Sequence, residues 1–300
     1  MKTESVYLSN TPLAEARKLW RQALESCGFF STRPVSVAVD EALGETTAEP
    51  VYARHSSPSY NASAMDGVAV RFQDLSMASE ASPVTLSRDD YLAVNTGNAR
   101  PEPYNAVVMI EDVHHLDHDA IELIHPATPW QHVRTVGEDI VATELIIPGG
   151  HVIRPIDQGA LLAAGITEVE VCAKPVVTVI PTGSELIEPG SEVRPGQIIE
   201  FNSRILSGYL SQWGAKVTVH PPVSDDPDRL AEAFTAASHN SDIIFTNAGA
   251  AAGTKDFSSS VLGDTGKIIV HGVAIKPGKP VILGLIDDTP VVGLPGYPIS

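Results

Sequence analysis

Val176-Val177-Thr178-Val179-Ile180-Pro181-Thr182-Gly183-Ser184-Glu185 is the stretch that decides how the second half of this 300-residue chain is read. Its β-branched residues suit a strand buried on both faces, the proline stops it, and a polar turn containing glycine carries the chain onward. Working outward, Ile205, Leu206, Tyr209, Leu210 and Trp213 recur at helical spacing before Gly214, and Ala215 to Val219 is a second apolar run. Asp226-Pro227 then opens a helix carrying Leu230, Ala233, Phe234 and Ala237, and Ile243 to Thr246 is a third run. Strand and helix patterns that alternate in this way predict three β-α units around a mostly parallel sheet.

Ligands of open α/β sheets sit beyond the carboxyl ends of the strands. That rule selects Thr182 to Glu185, Ser224-Asp225-Asp226 and the segment from Asn247 to Asp256, which includes Gly249 and Gly253. Lys276-Pro277-Gly278-Lys279-Pro280 and Leu294-Pro295-Gly296 follow two later apolar runs. Glu185, Asp225, Asp226 and Asp256 offer hard oxygen ligands suited to Mg²⁺, which binds through one or two carboxylates plus phosphate. Capping of a following helix explains Asp226 and Asp256 equally well. The loop from Ala248 to Gly253 exposes backbone N–H groups of the kind that cradle phosphate, although a tight connection is its plainer meaning. Lys276 and Lys279 bracket a Pro-Gly turn and supply two point charges for a phosphate or oxyanion, against the alternative of a solvated turn.

The first half reads differently. Thr11-Pro12 as N-cap and first turn, then Leu13, Ala16, Leu19 and Ala23 up to Gly28, predict one amphipathic helix, and a second short helix is expected over Ser36 to Leu43. From about residue 50 to 130, Pro58, Asp66-Gly67, Pro83, Gly97 and Pro101 punctuate short runs such as Ala106 to Ile110, which predicts a β module. Ser63-Ala64-Met65-Asp66-Gly67-Val68-Ala69-Val70 reads locally as an Asp-Gly turn entering a strand, and Asn95-Thr96-Gly97 as another turn. His114, His115 and His118 lie among Glu111, Asp117 and Asp119, where a polar loop is the favoured reading over a metal site.

Composition sets bounds. Lys plus Arg total 20 against 37 Asp plus Glu, a formal charge of -17, which argues against a nucleic-acid partner because phosphate binding needs a basic face. An anionic substrate must then be held by a few placed cations and by backbone N–H groups. Cys27 and Cys172 are isolated, so neither a disulfide framework nor a zinc site is readable. No run approaches a membrane span, and the expected location is cytoplasmic.

Taken in order, these segments resemble the molybdopterin molybdotransferase family, over essentially the whole chain. The resemblance rests on Ser63 to Gly67, on Thr96-Gly97 with Asn105 to Val108 and Glu111, and on Arg134 with Gly137 to Ile140. It continues through Thr182 to Leu186, Asp225-Asp226, Lys276 to Pro280 and Leu294 to Gly296. Ala248 and Ala251 stand where the family pattern has Gly and Ser, and the family usually continues past the position of Ser300. The resemblance implies an α/β multidomain fold, with a β-rich module at 50–130 inserted in a small N-terminal α+β domain formed by 1–49 and 131–174. A three-layer molybdopterin-binding α/β domain with a mostly parallel sheet is expected over 175–300. It implies a homodimer with a shared active site and a Mg²⁺-dependent transferase that inserts molybdate into adenylylated molybdopterin and releases AMP. A pterin-binding or scaffolding paralogue is the second reading. On that analogy Asp66, Thr96, Glu185 and Asp256 are catalytic. Glu111, Arg134, Asp139, Thr182, Gly183, Gly249, Gly253, Lys276, Gly278, Lys279, Pro295 and Gly296 bind the substrate, and Glu185, Asp225, Asp226 and Asp256 bind metal.

Overall fold

The structure is a computed structural model, and it describes residues 10–247 and 257–296. The chain divides into two compact units, one formed by Met1–Thr32 with Ala173–Ser300 and the other by Arg33–Cys172.

In the first, α/β unit a six-stranded sheet runs in the order Lys216–Val219, Val176–Pro181, Ile243–Asn247, Thr289–Leu294, Ile282–Ile286, Lys267–His271. The first four are parallel, with Val179 opposite both Val219 and Phe245 and with Phe245 opposite Val292. Ile282–Ile286 is antiparallel to both its neighbours, so Lys267–His271 points the same way as the first four. Side chains alternate across each strand. Val177 and Val179 pack on one face against Leu206 and Leu210 of the helix Asn202–Gln212, and Ile180, Ile244 and Val291 pack on the other. There they meet Leu230 and Phe234 of the helix Pro227–Ser238 and Val261 and Leu262 of the helix Phe257–Thr265. These are the three expected layers, extended by three strands beyond those of the β-α units that periodicity reveals.

The helix Leu13–Ser26 belongs to this unit, laying Ala16 against Val270 and Val273. Its N-cap is Pro12, with no side-chain cap, because Thr11 is already committed to a bridge with Val273. The expected Thr11 cap is therefore absent.

The Arg33–Cys172 unit has two large cores beside a small one of Ala69, Val94 and Val107. One holds Val68, Val70, Leu75, Val108, Ile121 and Leu123, under the antiparallel sheet Leu92–Val94, Gly67–Val70, Ala106–Met109 and a second sheet centred on Ile121–Leu123. The other holds Val39, Ile147, Ile153, Leu161, Val169 and Val171. The helix expected over Ser36 to Leu43 is instead the strand Pro34–Ala38, paired antiparallel with Glu168–Cys172, followed by a single 3₁₀ turn at Val39–Glu41. Val35, Val37 and Val39 alternate, and β-branched residues at period two favour a strand over a helix.

The helix Pro155–Ala163 starts on a charged clasp. Asp157 accepts from the Arg154 backbone N–H at 2.8 Å and from the guanidinium at 2.9 Å on each oxygen, and it lies 2.8 Å from His151 Nε2. Hydrogen bonding from Arg154, ahead of that from His151, holds this nearly buried carboxyl well below the usual carboxylate range. A depressed folded-state pKa adds stability above the unfolded-state value near 4, and that stability is lost as pH falls below it. Asp157→Ala is expected to cost about 1.5–3 kcal/mol in denaturant unfolding at pH 7, with a deficit that shrinks as the pH is lowered below about 4. A deficit independent of pH would assign the loss to packing alone.

Gly67 has no room for a side chain, since a Cβ there would lie 2.0 Å from the Val108 carbonyl oxygen in the paired strand. Gly67→Ala is expected to push that strand pair apart and to lower the melting temperature by several degrees, read by circular dichroism.

Candidate functional site

The carboxyl ends of the parallel strands carry most of the predicted site residues of the α/β unit. Thr182 is buried and bridges to Val223, and its N–H and hydroxyl both donate to the Asn247 carbonyl, at 3.0 and 3.1 Å. Its role is to tie two strand ends together. Next to it Gly183, at φ 146°, allows the Glu185 carboxylate to fold back against the backbone, since a Cβ on Gly183 would meet both carboxylate oxygens at 2.8–2.9 Å. Glu185 is thereby held half-buried on a defined side of the turn.

Ser184 and Asp225 clasp reciprocally across the two loops. The Ser184 N–H donates to Asp225 Oδ2 at 3.2 Å, and the Asp225 N–H donates to Ser184 Oγ at 2.9 Å. This brings the Asp225 loop to the residue beside Glu185. Asp226 turns the other way: its Oδ1 accepts from the N–H groups of Asp228 and Arg229 at 3.0 and 3.3 Å and caps the helix Pro227–Ser238. Of the two equal readings of Asp226, the geometry supplies the cap. Asp256, Gly249 and Gly253 lie outside the described residues, and among the described residues no group of three His, Cys, Asp or Glu is arranged to hold a metal ion.

Between the helix Asn202–Gln212 and the strand ends lies a cavity of about 310 Å³. Its walls are the helix face Asn202, Ile205, Leu206 and Tyr209 on one side and the Pro277-Gly278 and Leu294-Pro295 turns on the other, with Val281 and Asn247 between. Asn202 fixes the spacing, since its amide nitrogen donates to the Gly296 carbonyl at 2.8 Å. Gly278 and Pro295 are thus wall residues, Gly296 is a tether point, and Lys276 and Lys279 are exposed at either end of the Pro277-Gly278 turn. Tyr209 and Trp213, which recur at helical spacing with Leu206 and Leu210, are 55% and 75% exposed, stacked at 5.9 Å with planes 28° apart. Asn247 opened one of the selected strand-end segments without a role of its own, whereas Asn202 was not singled out, and the one signal available for it was an asparagine at the start of the helix whose face holds Tyr209.

The Arg33–Cys172 unit has its own cluster. Asp66 Oδ1 accepts from the Thr96 N–H at 2.7 Å and from its hydroxyl at 3.1 Å. The Asp66 carbonyl accepts from Ile110, which places Glu111 in the 3₁₀ turn Ile110–Asp112 alongside. Ala62–Ser63 pairs with Val133–Arg134, with Arg134 opposite Ala62. Arg134 is already engaged, donating to both oxygens of Asp139 at 2.7 Å and to Glu138 at 3.3 Å, and the Asp139 hydrogen bonds raise it above its ordinary pKa. Asp66, Thr96 and Glu111 are thus joined through hydrogen bonds of Asp66 and its carbonyl, while Arg134, on the strand paired with Ala62–Ser63, holds Asp139.

Two family models match this chain. Residues 11–165 match the MoeA N-terminal region (domain I and II), and residues 178–300 match the Probable molybdopterin binding domain. A molybdopterin biosynthesis protein of Methanocaldococcus jannaschii is 31% identical over 96% of this chain and 76% of its own length. A Mycobacterium tuberculosis protein named molybdopterin molybdenumtransferase 2 is 33% identical over 89% of this chain and 71% of its own. Among solved structures, a molybdopterin biosynthesis MoeA protein from Pyrococcus horikoshii aligns with a TM-score of 0.82 at 34% identity, covering 94% of this chain and 75% of that one. The order of motifs, the loops they build at the strand ends, and these matches across both halves make the chain a member of the MoeA family of molybdopterin biosynthesis proteins.

Proposed function

We propose that this protein is a molybdopterin molybdotransferase, which inserts molybdate into adenylylated molybdopterin and releases AMP in molybdenum-cofactor synthesis. The observation that carries the reading is the strand-end edge of the α/β unit. There an apolar cavity, two exposed lysines on one of its turns, and the clasped Glu185–Ser184–Asp225 loops are gathered within one sheet topology. A substrate with a flat ring and phosphates needs these three elements. Relatives named for this activity, including the Haemophilus influenzae protein at 30% identity, support the same assignment.

Cleaving the adenylyl anhydride demands neutralisation of phosphate charge and placement of an oxyanion, with no covalent enzyme intermediate required. Lys276 and Lys279 supply positive charge without a carboxylate partner among the described residues. The Lys279 carbonyl accepts from the Val273 N–H at 2.9 Å, which fixes one end of the turn that carries that charge. Mg²⁺ fits the donor set, because Glu185 and Asp225 are hard oxygen donors on clasped loops and Mg²⁺ typically takes one or two carboxylates plus phosphate. When bound it would neutralise phosphate charge. Asp226, whose carboxylate caps a helix, is the weakest of the three described candidates for that role. In the other unit, Asp66 fixes the Thr96 hydroxyl, and Arg134 is held by Asp139 as a donor fork already neutralised in part. A homodimer that shares its active site completes this reading.

The deciding measurement is AMP release from adenylylated molybdopterin with Mg²⁺ and molybdate. Molybdate-dependent release is expected; tight pterin binding without release would identify a binding paralogue. Asp66→Ala and Glu185→Ala are each expected to lower release at least about 100-fold with the melting temperature within a few degrees of wild type, because both residues lie on loops outside the cores. Unfolding of either variant would make that residue structural.

A further inference from the structure

We infer that the cavity beside the helix Asn202–Gln212 receives the planar nitrogen heterocycle of the substrate, and that Tyr209 is the specificity-determining surface on which the ring lies. This rests on the molybdotransferase reading and adds to it the part of the ligand that the cavity takes. The volume of about 310 Å³ is at the lower end of small-molecule sites, and the wall is built mainly from Ile205, Leu206, Val281, Leu294 and the flanking prolines. Asn202 spends its amide nitrogen on the Gly296 carbonyl and no cationic side chain lines the wall, so a phosphate or oxyanion is poorly repaid there for its desolvation. It accepts a flat ring, whose faces are apolar enough to be buried and whose edge stays hydrated at the mouth.

Tyr209 adds the second, independent observation. It lines the cavity yet remains half exposed, and its ring is braced by stacking with Trp213, so an aromatic plane stands ready without having to be ordered on binding. Lys276 and Lys279 flank the Pro277-Gly278 wall and are exposed, so a phosphate attached to a ring in the cavity meets cationic charge within the same turn. Ring inside and phosphate outside is an arrangement met by either of two sources, the adenine of the adenylyl group or the pterin.

The test titrates AMP and a fluorescent 6-substituted pterin, separately, onto the full chain and its Tyr209→Ala and Tyr209→Phe variants, with KM for the adenylylated substrate measured alongside. One of the two rings is expected to bind, and its identity names the source. Tyr209→Ala should weaken that ring about tenfold or more and raise KM with little change in kcat, while Tyr209→Phe stays within about twofold, because stacking needs the ring and not the hydroxyl. The melting temperature should not change, since Tyr209 is exposed. Unchanged affinity in Tyr209→Ala, or an unchanged KM in an enzyme that still releases AMP, would overturn the ring assignment and leave the molybdotransferase reading standing. Ring binding that depends on Tyr209 in a chain that never releases AMP would do the reverse.

Discussion

The parallel hydrogen-bond ladder that joins Val176–Pro181 to Ile243–Asn247, and Ile243–Asn247 to Thr289–Leu294, is the constraint on which the site depends. Parallel strands are covered on both faces, so their side chains are consumed by the core and the chemistry is displaced to their ends. The register does the rest. Pro181 pairs with Asn247 and Asn247 with Leu294, so the three strands finish level with one another, and the turns that follow them emerge at one edge. Thr182 reinforces this by donating to the Asn247 carbonyl, which puts a buried hydroxyl in service of alignment. A slip of one residue would not only rotate side chains from one layer to the other; it would also separate Glu185 from Asp225 and remove one cavity wall from the other.

The smaller unit solves the same problem with antiparallel pairs. Gly67 lets its strand approach the Val108 carbonyl more closely than any side chain permits, and Asp66 immediately before it then reaches the Thr96 turn. The invariant need there is backbone proximity, which explains why the Asp and the Gly are adjacent. The carboxylate can be presented at the end of the strand only because the next residue has no Cβ to hold the strands apart.

Much of this was legible in the sequence, for a physical reason in each case. The strands 176–181 and 243–247 are runs of apolar, largely β-branched residues, and Asp226-Pro227 is a cap signature with a unique local geometry, so local information sufficed. Val37 and Val39 were misread as helical because short apolar runs carry both periodicities, and the choice was made by the pairing of residues 34–38 with 168–172, at least 130 positions away in sequence. The cavity was illegible for the same reason. It depends on Asn202 reaching the Gly296 carbonyl across 94 residues and on a half-exposed Tyr209 standing at the cavity, neither of which helical spacing alone reveals. Residue types announced which segments carry chemistry, and only long-range contacts could say which of them share a wall.

Charge gives the last step. A chain with a formal charge of -17 repels an anionic substrate at long range, so attraction must be local, and not every cation counts equally toward it. Arg134 is matched by Asp139 and Glu138 and contributes direction more than charge, a fork whose orientation is set before any ligand arrives. Lys276 and Lys279 have no such counterion among the described residues, and each stands beside an apolar wall that lowers the local dielectric. The same ammonium groups on an open acidic surface would be screened within a Debye length, about 8 Å at physiological ionic strength. Set at the lip of a cavity that a ring can fill, they act across a space from which water is displaced, and the apolar wall therefore determines how strongly the lysines hold a phosphate.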